Sequence, residues 1–366
     1  MINSVINKID LIENKVVVKG YIYIYGAGGY GKSLLKSLLK MNLKVCGFLD
    51  KYRNDEVDGY ECVKLSDPKC DEIKNNADVV ILIGIHNRET DPYQIKSELL
   101  ELGFLNIYTP VEYYDELPNG VYNSYWLSNS DIYKKNIENI SYAYEKMENK
   151  EVFIDILEYR LGFKNYLKYA KKYPQYRPTP ILKDMVFCNF IDAGAYNGDT
   201  IKDFMAAGLN VTNYYAYEPN LKEYTELSNT LNKYEFKKYL FPAGLSDING
   251  QVYFLCDGES GASVNVLNDG ENFETVPVIR LDDSLQDVVI DFIKMDIEGL
   301  ENKALLGSSK IINTQKPILA ICVYHKPDDL WAIIKLIETI CPNIYKFYLY
   351  QHELNTFEVV LYAMPK

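Results

Sequence analysis

The chain has 366 residues, a formal net charge of −12, and 48% hydrophobic and 25% charged residues. Length and composition are those of a globular protein of two or three domains, and the acidic balance disfavours nucleic acid or an anionic membrane as partner. No apolar run approaches the roughly 18 residues of a membrane span, and Met1-Ile-Asn-Ser-Val-Ile-Asn-Lys8 lacks the basic and apolar regions of a signal peptide, so a cytoplasmic location is expected. The seven cysteines (46, 62, 70, 188, 256, 322 and 341) are scattered, form no C-x-x-C pair and are expected as reduced, mostly buried thiols.

From residue 20 to 115 apolar runs alternate with helical patterns. Strands are expected at Tyr21–Tyr25, Lys44–Asp50 and Asp78–Ile85, and helices at Gly31–Met41 and Pro92–Leu102. Such alternation predicts parallel strands with crossover helices. The first strand runs into Gly26-Ala-Gly-Gly-Tyr-Gly31, a G-x-G-x-x-G turn, and Asp50 ends the next strand 24 residues after Gly26. Gly26, Gly28, Gly31 and Asp50 are therefore a candidate nucleotide or nucleotide-sugar site, with a scaffolding turn that binds nothing as the bland alternative. Tyr-x-x-x-Lys, the pair a short-chain dehydrogenase needs, occurs four times, from Tyr60/Lys64 to Tyr362/Lys366. With 33 tyrosines such matches arise by chance and decide nothing.

Residues 120–185 are rich in Tyr, Lys and Glu, with helical spacing at Ile154, Leu157 and Leu161. The basic cluster Lys164–Arg177 reads as a solvated helical face, and the three prolines of Tyr173–Pro180 mark a boundary. Alternation then restarts, with strands at 187–192 and 213–218 and helices at 199–207 and 220–232. Further strands are expected near 240–245, 251–255, 275–279, 289–296, 317–324, 345–350 and 357–363.

The second glycine turn, Asp192-Ala-Gly-Ala-Tyr-Asn-Gly-Asp-Thr200, follows strand 187–192 in the D-x-G-x-x-x-G spacing by which many methyltransferases hold S-adenosylmethionine. Glycines at 194 and 198 allow close backbone approach. Glu218, 26 residues after Asp192, ends the next strand and is placed to accept a ribose diol. Asp296 ends the apolar run Ile290–Met295, followed by Glu298 and Glu301, and suits cofactor orientation, proton transfer or a Mg²⁺ ligand; a helix start with acids favoured by its dipole also explains the two glutamates. His325 ends the run Ile318–Tyr324. An ordinary imidazole pKa near 6.5 makes it the first candidate base, although a histidine in this setting is more often structural.

Together these runs resemble the FkbM family of S-adenosylmethionine-dependent methyltransferases over about residues 120–366. The matching segments are Asp192–Thr200, Tyr217-Glu-Pro219, Phe292–Glu301, Tyr324–Trp331 and Glu358–Ala363. The resemblance implies a seven-stranded Rossmann-like sheet and O-methylation of sugars, glycans or natural products. It implies that Asp192, Gly194, Ala195, Tyr196, Gly198, Glu218 and Asp296 contact the cofactor, and that Ser246 and Asp247 lie at its adenine. Tyr196 stands where many methyltransferases carry a third glycine. More weakly, the Gly26 turn resembles the small N-terminal domain of bacterial sugar acyltransferases, which binds a nucleotide-linked sugar.

The expected architecture is α/β with two Rossmann-like domains: a nucleotide-binding-like domain over 1–118, a helical linker over 119–185 and a methyltransferase domain over 186–366. The expected function is an S-adenosylmethionine-dependent O-methyltransferase acting on a saccharide or nucleotide-sugar hydroxyl. A nicotinamide-dependent sugar-modifying enzyme using the first glycine turn, or a non-catalytic nucleotide-binding module, stays open. So do the acceptor, metal dependence and a homo-oligomeric state.

Overall fold

The computed structural model describes residues 2–12, 18–117, 121–182, 187–255 and 273–366. Cys256 lies outside the described residues, and the other six cysteines are free, with Cys188 exposed. The chain divides into two compact units. One comprises Met1–Ile137, Phe153–Ala170 and Glu353–Phe357; the other comprises Glu138–Val152, Lys171–His352 and Glu358–Lys366. The segment expected as a linker thus contributes residues to both units. No described helix is long and apolar enough to cross a membrane.

The first unit runs α1 (Ile2–Asp10), β1 (Tyr21–Tyr25), α2 (Gly29–Lys40), β2 (Val45–Asp50), β3 (Asp55–Val57), β4 (Tyr60–Lys64), α3 (Lys69–Lys74), β5 (Val79–Ile83), α4 (Pro92–Glu101), β6 (Asn106–Tyr108) and α5 (Pro110–Tyr113). Its sheet has the order β3-β4-β2-β1-β5-β6 and is parallel except for β3. β5 is buried along its whole length, as a strand covered on both faces must be. Tyr25, Leu49, Ile83, Leu99 and Phe104 belong to the core on one face. The β3–β4 hairpin and β6 were not expected, since Asp55-Glu-Val57 and Asn106-Ile-Tyr108 are too short and polar for periodicity to register.

Four helices follow: α6 (Asp131–Lys135), α7 (Ile137–Lys146), α8 (Lys150–Arg160) and α9 (Thr179–Leu182). The expected basic helical face is not formed. Residues 161–178 make turns and bends after Gly162 adopts a φ of +68°, and Pro174 and Pro178 cannot donate to a helical ladder. Lys164 instead pairs with Asp155, and Arg177 with Asp203 at 2.6 Å.

The second unit runs β7 (Phe187–Ala193), α10 (Asp199–Ala206), β8 (Val211–Tyr217), α11 (Leu221–Leu231), β9 (Lys237–Phe241), β10 (Gly244–Leu245), β11 (Gly250–Leu255), β12 (Phe273–Ile279), α12 (Leu281–Ser284), β13 (Phe292–Met295), α13 (Glu301–Gly307), α14 (Ser309–Gln315), β14 (Ile318–Cys322), α15 (Asp329–Ile340), β15 (Tyr345–Gln351) and β16 (Val359–Pro365). Its seven-stranded sheet has the order β15-β16-β14-β13-β7-β8-β9 and is parallel except for β16. The strand expected over 240–245 is two strands. Pro242 lacks an N–H for the ladder, so β9 ends in the large sheet and β10 joins a three-stranded sheet, β10-β12-β11. The chain starts at β7, winds out through β8 and β9, then returns to β13 on β7's other side. The order reverses between β7 and β13, and the crevice beyond their carboxyl ends is where ligands bind in such sheets.

Candidate active site

The turn after β7 is tied to the strands beside it. Gly194 and Ala195 donate backbone hydrogen bonds to Tyr217 O at 2.9 and 3.1 Å. Tyr196 N donates to Glu218 Oε2 at 2.9 Å, and Asn220 N to Glu218 Oε1 at 2.8 Å. Glu218 is thus a staple between the turn and the start of α11. Burial raises its pKa, against the pull of those two amides. Tyr196 has a φ of +46°, which explains why glycine is common there; its own side chain is exposed.

The glycines answer to packing. A Cβ on Gly194, whose φ is +74°, would stand 1.9 Å from Asp296 O, so only glycine lets this turn lie against the end of β13. A Cβ on Gly198 would meet Leu227 and Thr230 at 3.1 Å. Among the described residues, the closest neighbours of these two glycines are the backbone at the end of β13 and the side chains of α11.

Asp192 is fully buried beneath the turn. Its Oδ2 accepts from Tyr214 Oη at 2.6 Å, and its Oδ1 lies 3.0 Å from Lys294 Nζ. Lys294 stands opposite Asp192 in the register of β13 with β7, donates to Gly194 O at 2.6 Å, and lies over the Tyr176 ring at 5.3 Å. Burial works against its charge, but Asp192 and Asp296 hold its pKa above the usual lysine value. Burial raises Asp192, opposed by Lys294 and Tyr214. The sequence reading passed over Lys294, although a lysine inside Phe292-Ile-Lys-Met295 signals a buried partner acid.

The ends of β13 and β14 meet in a charged cluster. His325 Nδ1 donates to Glu301 Oε1 at 2.8 Å, and its Nε2 lies 3.3 Å from Asp296 Oδ1 and 3.7 Å from Glu298 Oε2. Glu301 also accepts from Ile297 N at 3.0 Å, and Tyr176 Oη donates to Asp296 Oδ2 at 2.8 Å. Burial opposes protonation of His325, but Glu301, Glu298 and Asp296 lift its pKa well above the ordinary 6.5, which favours the imidazolium. Asp296 is held below the usual carboxylate range: burial is outweighed by the His325 hydrogen bond and by Lys294. Burial pushes Glu298 up to about 7, with Asp296 and Glu301 adding to the rise and His325 opposing it. His352, the other histidine after a C-terminal strand, is taken up in bonds to Tyr173 O and Tyr362 Oη.

Ser246 and Asp247 follow β10. Ser246 is buried, with its N–H on Ile279 O at 3.0 Å and its carbonyl where a Cβ on Gly307 would fall. A Cβ on Gly244 would lie 3.9 Å from Pro219, the residue after Glu218. In the first unit, Gly26 has a φ of +100° and a Cβ on Gly31 would lie 2.0 Å from Gly26 O, while Gly28 faces open space. Asp50 accepts from Tyr52 N at 2.8 Å, Arg53 N at 3.2 Å and Ala27 N at 3.4 Å. Both units therefore use the acid at the end of one strand to hold the glycine turn of its neighbour.

Five carboxylates (Asp192, Glu218, Asp296, Glu298 and Glu301) stand at this edge with three cations, Lys294, His325 and Lys326. An excess of carboxylates disfavours a pyrophosphate and suits a ligand carrying positive charge. S-adenosylmethionine, with its sulfonium and ammonium, fits that donor set.

An open sheet of this order, with its acids at the switch point, defines a Rossmann-like methyltransferase fold. Residues 192–353 match the methyltransferase FkbM domain, and residues 21–89 match the PglD N-terminal domain. The chain therefore carries an FkbM-type methyltransferase domain behind a PglD-type N-terminal domain. The crystal structure of the methyltransferase FkbM from Methylobacillus flagellatus superposes with a TM-score of 0.79 at 19% identity, over 99% of each chain. A candidate rRNA-methylase from Clostridium thermocellum aligns over 49% of this chain and 89% of its own, at 11% identity and a TM-score of 0.33. No curated protein matches.

Proposed function

We propose that the protein is an S-adenosylmethionine-dependent O-methyltransferase acting on a saccharide hydroxyl, with the first unit holding a nucleotide-linked sugar. The observation that carries this reading is the anionic edge of the seven-stranded sheet, where Glu218 and the Asp296–His325 cluster flank the Gly194–Gly198 turn. S-adenosylmethionine supplies an electrophilic methyl group. Glu218 has lone pairs left and would take the ribose diol, the Gly194–Gly198 turn would hold the methionine portion, and Ser246 and Asp247 would hold the adenine. Asp192 and Lys294 fix the turn from beneath. Asp296 balances positive charge beside the sheet, and the acceptor proton leaves through the cluster centred on His325. Positioning of the two reactants supplies much of the rate.

Calorimetry tests the reading on the full chain. S-adenosylhomocysteine should bind the wild type, and Glu218→Gln should weaken binding by about 10-fold or more, the cost of losing charge-assisted hydrogen bonds. A nucleoside-diphosphate sugar should bind the wild type and be lost in Gly28→Asp, which places a like charge in the open turn. Binding of NAD in place of S-adenosylhomocysteine would sink the proposal and restore the nicotinamide alternative.

A further inference from the structure

We propose that Glu298 receives the proton of the acceptor hydroxyl, and that His325 is a positioning cation clamped by Glu301 rather than the base. The inference rests on the methyl-transfer reading above and deepens it.

The geometry separates the four groups by what each can still accept. His325 faces a carboxylate from each ring nitrogen, Glu301 at Nδ1 and Asp296 with Glu298 at Nε2. Ionised carboxylates only accept, so Nδ1 donates to Glu301 and the acids facing Nε2 favour a proton there too, which leaves the imidazole no lone pair for the acceptor's proton. Glu301 has no exposed side-chain surface, and its Oε1 is shared by His325 and Ile297 N. Asp296 is 23% exposed, accepts a hydrogen bond from Tyr176 and lies 3.3 Å from His325 Nε2. Glu298 is the most open, at 36%, and its Oε2 lies 3.7 Å from Nε2, outside hydrogen-bond reach. Its basicity is therefore the least spent.

The backbone supports the assignment. Glu298 has a φ of +54° and Gly299 one of +90°. A non-glycine residue in the left-handed region is a strained placement that surrounding contacts must enforce, and such placements gather at functional sites. Here Lys326 Nζ donates to Gly299 O and Ile297 N to Glu301, bracketing the turn. The charged and titratable groups around Glu298 are His325, Asp296, Glu301, Glu358, Tyr324 and Lys326. The balance of acids over cations around Glu298, with Asp296, Glu301 and Glu358 against His325 and Lys326, favours a protonated Glu298 once a proton arrives.

The step balances. The acceptor O–H bond breaks and its proton goes to the Glu298 carboxylate. An oxygen electron pair forms the O–CH₃ bond, the methyl–sulfur bond breaks, and its pair stays on sulfur to give S-adenosylhomocysteine. Glu298 then returns the proton to water.

The test uses the full chain labelled with [¹³Cδ]glutamate and [¹⁵N]histidine, titrated by NMR from about pH 5 to pH 10 with and without S-adenosylhomocysteine. One glutamate carbon should titrate near neutral pH in the wild type and be missing in Glu298→Gln, while His325 shows imidazolium nitrogens at about pH 7.5. With S-adenosylmethionine and a panel of nucleoside-diphosphate sugars and methyl glycosides, Glu298→Gln should lower kcat by about 10²–10⁴-fold. Glu298→Asp should recover part of the loss, and the affinity for S-adenosylhomocysteine should change less than about threefold. A neutral His325, or no glutamate titrating near neutral pH, overturns the assignment. Failure of the wild type to bind S-adenosylhomocysteine would instead strike the donor reading, which separates the two.

Discussion

Replacing Lys294 by Met should loosen the center of the methyltransferase sheet. Lys294 and Asp192 are 2% and 0% exposed, and their charges sit 3.0 Å apart. At an effective dielectric of about 20 the attraction is about 332/(20 × 3.0), or roughly 5.5 kcal/mol. Met keeps the apolar stem and removes lysine's own burial cost, which offsets part of the loss. The Asp192 carboxylate stays buried without its cation, and Gly194 O loses a charge-assisted donor. Removing one partner of such a pair costs about 3–5 kcal/mol. Since 1.4 kcal/mol is tenfold, amides of β7 and β13 should exchange with solvent about 10²–10³ times faster. Hydrogen exchange by mass spectrometry on peptides covering residues 187–198 and 291–300 reads this directly. Adding Asp192→Asn removes the stranded charge and should restore about 2 kcal/mol. If Lys294→Met changes exchange less than about fivefold, or the double variant exchanges faster than the single, the pair does not hold the turn and the reasoning fails.

Two further outcomes follow from the same region. Gly194→Ala combines a φ of +74° with a Cβ 1.9 Å from Asp296 O and should cost about 3 kcal/mol or more; Gly208→Ala, at φ +73° with nothing within 4 Å, should cost only about 1 kcal/mol. Comparable shifts of the two in thermal or urea unfolding would remove the packing explanation for Gly194. For His325, a folded-state pKa raised above the unfolded value means its stabilising charge is fully present below about pH 6.5 and lost as pH rises through the folded pKa. The Tm gap between wild type and His325→Gln should therefore narrow from about pH 7 to pH 10; a gap that stays constant or widens would show that the imidazolium is not held by its three carboxylates.

Much of this fold was legible in the chain because parallel strands leave loud signals. The runs at Tyr21–Tyr25 and Phe190–Ala193 are apolar, end in glycine turns, and are followed by strands closing in Asp50 and near Glu218. Pro242 could have warned that 240–245 is two strands, since its missing N–H breaks a ladder in any context. The β3–β4 hairpin and the turns over 161–178 escaped detection because polar three-residue strands and a Lys/Tyr-rich stretch have no period to read. In the site, the residue types at Asp192, Glu218, Asp296 and His325 announced carboxylate and imidazole chemistry. What they touch was hidden: Lys294 and Tyr214 lie about 100 and 22 residues from Asp192 along the chain.

The sequence by itself determined where the main apolar parallel strands would lie and which functional groups would stand at their ends, because hydrophobic runs and glycine turns are local properties. Only the tertiary structure decided how those groups share charge. Register places Lys294 against Asp192, and the meeting of β13 and β14 places three carboxylates around one histidine. Those are interactions across a sheet, set by proximity and burial; they raise the pKa of the histidine expected as a base, and the proton-accepting role proposed for Glu298 rests on them.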